Sequence, residues 1–103
     1  TGLLVLCEVA LGKTKNLTGG DSNAARVCSD AGCHSTYGMG RSRPDPADDL
    51  VVSLGRMDGV RVPQGRLTDN ADLKTRGSLL YNEFIVYDVA QIRMRYLVEV
   101  KFK

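Results

Sequence analysis

Two glutamates occupy positions where hydrophobic residues would be expected to pack. Glu83 lies inside the apolar run 79–87, and Glu8 lies inside the apolar run 2–11. Burying an unpaired charge costs several kcal/mol even after the surroundings relax. We therefore expect Glu83 either to meet a cationic or hydrogen-bonding partner, such as one of the arginines, or to line a cleft.

The same two carboxylates could act together. A general acid and base pair of the kind that hydrolyses glycosides would place the carboxyl groups of Glu8 and Glu83 about 5 to 10 Å apart across a cleft. The sequence does not give this distance. A structural contact for Glu8, or a place at the rim of the cleft that holds Glu83, is the alternative.

Other candidate sites have weaker patterns. Cys28, Cys33 and His34 are ligand types for zinc, but the spacing is poor and the fourth ligand would have to be Cys7 or a carboxylate, so no metal is expected. The segment 38–40, Gly-Met-Gly, lacks the third glycine of a dinucleotide fingerprint and the Lys-Ser/Thr of a phosphate loop. These glycines are better explained by backbone geometry.

The composition is that of one ordinary globular unit. The chain has 103 residues, is 43% hydrophobic and carries a formal charge of +2. This balance excludes a basic nucleic-acid arm or an acidic tail, and the length excludes two complete domains. Three cysteines are an odd and sparse set, which favours a reducing compartment. No apolar run is long enough to span a bilayer, and no export signal is visible, so no membrane partner is expected.

The first half of the sequence predicts one strand followed by a long loop. Residues 2–11 are apolar on both faces apart from Glu8, which is typical of a central strand. Residues 12–35 are polar, with at most a helical turn around residues 23–28, and residues 37–46 combine two glycines with two prolines, which predicts irregular backbone.

The second half is predicted to be mostly strand. Residues 50–54 and 60–62 form short β-type runs joined by an Asp-Gly hairpin turn, and residues 64–77 form a polar loop. Residues 79–87 precede a turn at 88–91, and strict alternation from residue 92 predicts a half-buried strand. No crossover helix is evident, so the fold is expected to be α+β and β-rich with predominantly antiparallel sheets. Both ends interrupt a regular pattern, which suggests a piece of a larger domain.

Four segments, in order, resemble the catalytic domain of poly(ADP-ribose) polymerases. The sequence Leu-Leu-Tyr-Asn-Glu-Phe-Ile-Val-Tyr-Asp-Val-Ala-Gln at 79–91 is similar to the family's catalytic-glutamate strand and the turn after it. The other matching segments are Gly-Leu-Leu-Val-Leu-Cys-Glu-Val-Ala-Leu-Gly at 2–12, Gly-Cys-His-Ser-Thr-Tyr-Gly-Met-Gly-Arg at 32–41 with Pro-Asp-Pro at 44–46, and Val-Arg-Val-Pro-Gln-Gly at 60–65. Residues 92–102 resemble the closing strand.

The resemblance implies the ADP-ribosyltransferase fold, with two β-sheets around a cleft for NAD, and transfer of ADP-ribose to acceptor proteins and growing ADP-ribose chains with release of nicotinamide. Glu83 matches the catalytic glutamate, which would hydrogen-bond the 2′-hydroxyl of the nicotinamide ribose. Tyr81 matches a position on the acceptor side of the cleft, and we place Glu8 near the same side. NAD is then the donor substrate, and any contact with DNA would belong to other domains of the parent protein.

Several features of the family are not found in residues 1–103. In the family, the His-Gly motif and the tyrosine that stacks on nicotinamide precede the segment matched at Gly2. The chain therefore resembles the C-terminal half of the catalytic domain without the N-terminal half. Alone, it is expected to be inactive. Phe84 replaces a Tyr, and Cys33 and Arg41 replace Lys. A mono-ADP-ribosyltransferase or a non-catalytic ADP-ribose-binding protein are alternatives. The resemblance suggests a nuclear enzyme of the DNA-damage response, or a cytoplasmic one in a bacterial parent.

Overall fold

A computed structural model of the chain describes residues 1–71 and 77–102. Most of its regular structure is strand, with one α-helix and three short 3₁₀ turns. In chain order the elements are β1 (Gly2–Val9), β2 (Thr14–Leu17), α1 (Ala24–Asp30), β3 (Ser35–Gly38), β4 (Ser42–Pro44), a 3₁₀ turn (Pro46–Asp48), β5 (Leu50–Val51), a second 3₁₀ turn (Gly55–Met57), β6 (Arg61–Val62), β7 (Leu67–Asp69), β8 (Glu83–Val86), a third 3₁₀ turn (Val89–Gln91) and β9 (Ile92–Val100). No helix among these residues is long and apolar enough to cross a bilayer.

The first and last strands form a two-stranded antiparallel ribbon. β1 pairs with β9 from Gly2 opposite Val100 to Val9 opposite Ile92. The prediction of a central β1 and a half-buried β9 is wrong, because most apolar side chains of both strands are exposed, Met94 by 76% of its surface. Within the described residues, β9 is the one strand paired with β1, and no helix or sheet packs extensively on either face.

A second sheet contains the strand that carries Glu83. Its order is β2-β3-β8, with β3 antiparallel to β8 and parallel to β2. The seven residues of α1 lie between the two parallel strands, where a helical turn is expected around residues 23–28. The expectation of loop for the rest of 12–35, without a crossover, is wrong, because β2 pairs in parallel with β3. The four-residue β2 has the polar sequence Thr-Lys-Asn-Leu, which is why its pattern gave no strand signal.

Two small antiparallel pairs complete the structure. β4 pairs with β7, and β5 pairs with β6. The hairpin between residues 50 and 62 is confirmed, and Gly59 in its turn has a φ of 83°. The predicted irregular backbone at 37–46 and polar loop at 64–77 are partly wrong, since they contain β4 and β7. Residues 72–76 of that loop lie outside the described part of the chain. The strand-rich, mainly antiparallel fold class is confirmed.

The Gln91 side chain links the ribbon to the second sheet. The Gln91 amide nitrogen donates to the carbonyls of Ala10, at 2.9 Å, and His34, at 3.0 Å. Its carbonyl oxygen accepts from the Asp88 backbone N–H, which completes a capping box on the third 3₁₀ turn. The end of β1, the start of β3 and the turn before β9 therefore meet at Gln91. Beside this junction, Ser35 and Thr36 of β3 are the most deeply buried residues described.

Candidate active site

Glu83 begins β8 and pairs with Gly38 at the end of β3. A Cβ atom at position 38 would lie 2.6 Å from the Leu79 Cδ1 and 3.2 Å from the carbonyl oxygen of Glu83. A larger residue at position 38 would therefore require the Leu79 side chain to move and the Glu83 carbonyl to shift by a few tenths of an ångström. The interpretation that this glycine serves backbone geometry is confirmed.

The segment before Glu83 is held by the chain that leaves β3. The N–H groups of Arg41 and Ser42 donate to the carbonyls of Leu79, at 2.9 Å, and Leu80, at 3.0 Å. The N–H of Gly40 donates to the side-chain oxygen of Asn82 at 3.0 Å. These bonds fix residues 79–82 against the 38–42 segment, and so they fix where β8 starts.

Gly40 makes this contact possible. A Cβ at position 40 would lie 2.5 Å from the Asn82 backbone nitrogen and would also collide with the Tyr81 carbonyl carbon. Real Cβ atoms do not come this close to backbone atoms. The second glycine of the Gly-Met-Gly segment is therefore a steric requirement for the backbone next to Glu83.

Glu83 itself is exposed, and this corrects the expectation of a buried carboxylate. Within residues 1–71 and 77–102 its side chain has no hydrogen bond or ion pair, and it lines neither of the two clefts described below. The physical reason is that no described element covers this face of β8. The carboxylate is in water here, so the burial penalty that motivated the prediction does not arise.

The opposite face of β8 borders the larger cleft, of about 1060 Å³. Asn82, Phe84 and Val86 alternate along this face, and the Phe84 ring stacks on Tyr37 with centroids 4.5 Å apart. Glu8 lines the same cleft. Because successive side chains of a strand point to opposite faces, Glu8 and Glu83 belong to opposite sides of the sheet. This arrangement argues against a paired-carboxylate glycosidase.

Glu8 has an arginine partner that regular pairing would not select. Arg93 is its partner in the strand register, but a bulge between Leu6 and Cys7 shifts the pairing and leaves Arg95 without an opposite residue. The Arg95 Nε donates to the Glu8 Oε1 at 3.1 Å, and its Nη2 donates to the same oxygen. Both side chains are mostly buried, with 20% of Arg95 and 27% of Glu8 exposed. The bulge therefore aims Arg95 at Glu8.

Replacing Arg95 should loosen the ribbon more than replacing Arg93. We expect Arg95→Gln to destabilise the β1–β9 pairing by roughly 1.5 kcal/mol, because charged hydrogen bonds to a partly buried carboxylate are lost. The control Arg93→Gln should change the free energy of this pairing by less than about 0.5 kcal/mol. Amide hydrogen exchange along β1 and β9 measures both values. Equal effects of the two variants would show that the bulge does not select the partner.

Tyr81 is 59% exposed and lies just before β8, where it forms an isolated bridge with Ser42. A packed structural aromatic would be the alternative role for Tyr81, but its ring is not packed in a core. Tyr81 and Glu83 lie two residues apart on the chain, whereas Glu8 lies on the other side of β8. The structure thus keeps two of the three predicted site residues together and separates the third.

Sequence reasoning missed the charge that surrounds the larger cleft. Arg43, Arg61 and Arg93 come from three different strands and all line it. Arg43 Nε is buried without a hydrogen-bond partner among the described residues, whereas Arg61 bonds Asp49 at 3.3 Å. These arginines are scattered in the sequence, so no local pattern could have indicated that they converge.

The three cysteines lie on different parts of the fold. Cys7 is in the ribbon, whereas Cys28 and Cys33 lie around the end of α1. Among residues 1–71 and 77–102, no three His, Cys, Asp or Glu side chains are arranged to hold a metal ion. All three cysteines are free thiols. The zinc interpretation therefore receives no support from the described structure.

The comparison with known families bears directly on this glutamate strand. The sequence profile described as "Poly(ADP-ribose) polymerase catalytic domain" matches residues 1–102. The chain belongs to this family. The resemblance first seen in four segments thus extends over the ribbon, the β2-β3-β8 sheet and the intervening loops.

Individual relatives agree with the poly(ADP-ribose) polymerase profile. The chain is 46% identical over 102 residues to poly [ADP-ribose] polymerase 2-A of Oryza sativa subsp. japonica. This alignment covers 99% of the chain and 14% of the relative. It is 41% identical over 103 residues to the poly [ADP-ribose] polymerase of Sarcophaga peregrina, covering 100% of the chain and 9% of the relative. Poly [ADP-ribose] polymerase 2 of Arabidopsis thaliana is 45% identical over 101 residues, and the alignment covers 98% of the chain and 15% of the relative. The chain thus spans about a tenth to a seventh of the length of these relatives.

Proposed function

We propose that residues 1–103 form the C-terminal part of a catalytic domain that transfers ADP-ribose from NAD to acceptor proteins and to growing ADP-ribose chains, releasing nicotinamide. The observation that carries the proposal is the position of Glu83. It begins a strand whose location is fixed by Gly38 and Gly40, and it lies within a family match that covers residues 1–102.

In this proposal Glu83 acts on the donor ribose. Its carboxylate accepts a hydrogen bond from the 2′-hydroxyl of the nicotinamide ribose and stabilises positive charge that develops at the anomeric carbon as nicotinamide leaves. A fixed negative group stabilises such charge strongly when water is excluded. The face of β8 that carries Glu83 is open in the described structure, so it leaves room for NAD and for the protein segment that would bind the rest of NAD.

In this proposal the larger cleft, on the face of β8 opposite Glu83, holds a part of the ADP-ribose chain that lies away from the reacting end. An ADP-ribose chain carries a pyrophosphate in each unit, and Arg43 and Arg93 supply positive charge along the cleft, whereas Arg61 is paired with Asp49 of the same cleft. Glu8 is held by Arg95 and does not neutralise Arg43 or Arg93. Tyr81 lies two residues before Glu83, at the start of the glutamate strand. The proposal assigns DNA contact to other domains of the protein, and it includes a nuclear role in the response to DNA damage.

The test is turnover of NAD by the protein at its natural length. With NAD labelled in its adenine, we expect release of nicotinamide and a ladder of labelled products on a gel. Residues 1–103 alone should release none, because the proposal places the remaining NAD contacts outside this chain. A single labelled band would indicate transfer of one unit instead of a polymer. Binding of ADP-ribose without nicotinamide release would show a non-catalytic protein and would contradict the proposal.

A further inference from the structure

Two cysteines flank the C-terminal end of α1. The N–H of Gly32 donates to the carbonyl of Ser29 at 3.0 Å, and the N–H of Cys33 donates to the carbonyl of Cys28 at 2.9 Å. Gly32 has a φ of 68°, in the left-handed region. This pair of hydrogen bonds around a left-handed glycine is the Schellman motif, which closes many helices.

The motif brings the two thiols to one place. In a Schellman motif the side chains at the positions of Cys28 and Cys33 commonly contact each other. The backbone hydrogen bond from Cys33 to Cys28 holds the two residues as neighbours at the helix end. A disulfide between them therefore requires no large movement of the chain.

The two thiols differ in exposure but share one cleft. Cys28 is 2% exposed and Cys33 is half-buried, and both line a cleft of about 680 Å³ beside His34 and Tyr87. Burial raises the pKa of the Cys28 thiol, and the neighbouring Cys33 thiol raises it further. Cys33 is thus the thiol that solvent reaches, and Cys28 is the protected one beside it.

We propose that Cys28 and Cys33 form an oxidation site at which a peroxide produces a reversible disulfide. The Cys33 thiolate attacks one peroxide oxygen, the O–O bond breaks, and Cys33 becomes a sulfenic acid while hydroxide leaves. The Cys28 sulfur then attacks the Cys33 sulfur, the S–O bond breaks, and water leaves with the Cys28 proton. In sum, two thiols and one hydrogen peroxide give one disulfide and two waters.

The proposal is consistent with the odd number of cysteines. A reversible pair next to a separate third thiol does not need the oxidising compartment that a structural disulfide framework needs. A dithiol reductant attacks the same disulfide and restores both thiols. The disulfide can be measured separately from the proposed transferase chemistry, because that chemistry assigns no role to either cysteine.

Peptide mapping tests the proposal directly. The protein at its natural length is treated with hydrogen peroxide, quenched with catalase, unfolded, alkylated with iodoacetamide and digested with trypsin. Cleavage after Arg26 and Arg41 releases one peptide, 27–41, which contains both cysteines and excludes Cys7. We expect this peptide to lose two hydrogen atoms and both alkylation sites after oxidation. Dithiothreitol should restore both sites.

Two serine variants separate the pair from the third thiol. Cys33→Ser should abolish the internal disulfide, whereas Cys7→Ser should leave it unchanged. If peptide 27–41 kept two alkylated cysteines under conditions that oxidise Cys7, the proposal would be wrong. Mixed disulfides between Cys7 and either member of the pair would also overturn it.

A glycine variant tests the role of the helix end. Gly32→Ala places a side chain on a left-handed residue, which costs roughly 1 to 2 kcal/mol and loosens the Schellman motif. No atom lies within 4 Å of the added Cβ, so the effect is confined to the backbone. We expect the disulfide to form several-fold more slowly in this variant. An unchanged rate would show that the motif does not position the thiols.

Discussion

Replacing Glu83 by Gln, in the protein at its natural length, should lower the rate of ADP-ribose transfer by a factor on the order of 10² to 10³. The amide keeps the size of the side chain but removes the negative charge that, in the proposed mechanism, stabilises the developing positive charge on the ribose. Nicotinamide release under saturating NAD measures the effect. A matched control is Glu99→Gln, since Glu99 is an exposed acid in the last strand, and its rate should stay unchanged.

The same variant separates the catalytic role from the structural alternative. Glu83 is exposed and makes no ion pair within the described residues, so we expect Glu83→Gln to leave the thermal unfolding temperature of the domain unchanged. If Glu83 were a structural carboxylate paired with an arginine, the substitution would remove the ion pair and measurably lower the unfolding temperature. A near-normal transfer rate in Glu83→Gln would show that another residue carries the chemistry.

Gly40→Ala should disrupt the start of the glutamate strand. The added methyl group would overlap the backbone of Tyr81 and Asn82, and no side-chain rotation can relieve a clash with backbone. The 38–42 and 79–82 segments would have to separate, at a cost of roughly 3 kcal/mol. Hydrogen exchange should rise at the Arg41 and Ser42 amides, which bridge the two segments.

The transfer rate should fall with this displacement, because a shift of about 1 Å in a catalytic group can cost about 10²-fold in rate. Gly20→Ala is the control, since nothing lies within 4 Å of a Cβ at position 20. Its exchange and transfer rates should match those of the unchanged protein. Normal exchange at Arg41 and Ser42 in Gly40→Ala would mean that the segments tolerate a side chain there.

Elements with a strong local pattern could be predicted from the sequence. The apolar run of β1, the alternation of β9 and the Asp-Gly hairpin each follow from residues close together in the chain, and each is present. The polar strand β2 and the three-residue strand β7 could not be predicted this way. Their pairing depends on β3 and β4, which are distant partners that supply the hydrogen bonds.

Burial was harder to predict than strand position. The alternation of β9 indicated a buried face, but burial requires something to cover that face, and within the described residues nothing does so. The same limit applies to Glu83, because its strand pattern indicated burial whereas the side chain is exposed. The bulge that brings Arg95 to Glu8 also has no local signature, because it arises where two distant strands fall out of register.

The pairing of the first strand with the last has a consequence during synthesis. Val9 and Ile92 are partners in the ribbon, although more than eighty residues separate them in the chain. At about 5 to 20 residues per second, a ribosome needs roughly 4 to 17 s to make the stretch between them. Throughout that time the apolar Leu-Leu-Val-Leu stretch of β1 lacks its partner strand. The ribbon therefore forms only after the whole of the β2-β3-β8 sheet has been synthesised.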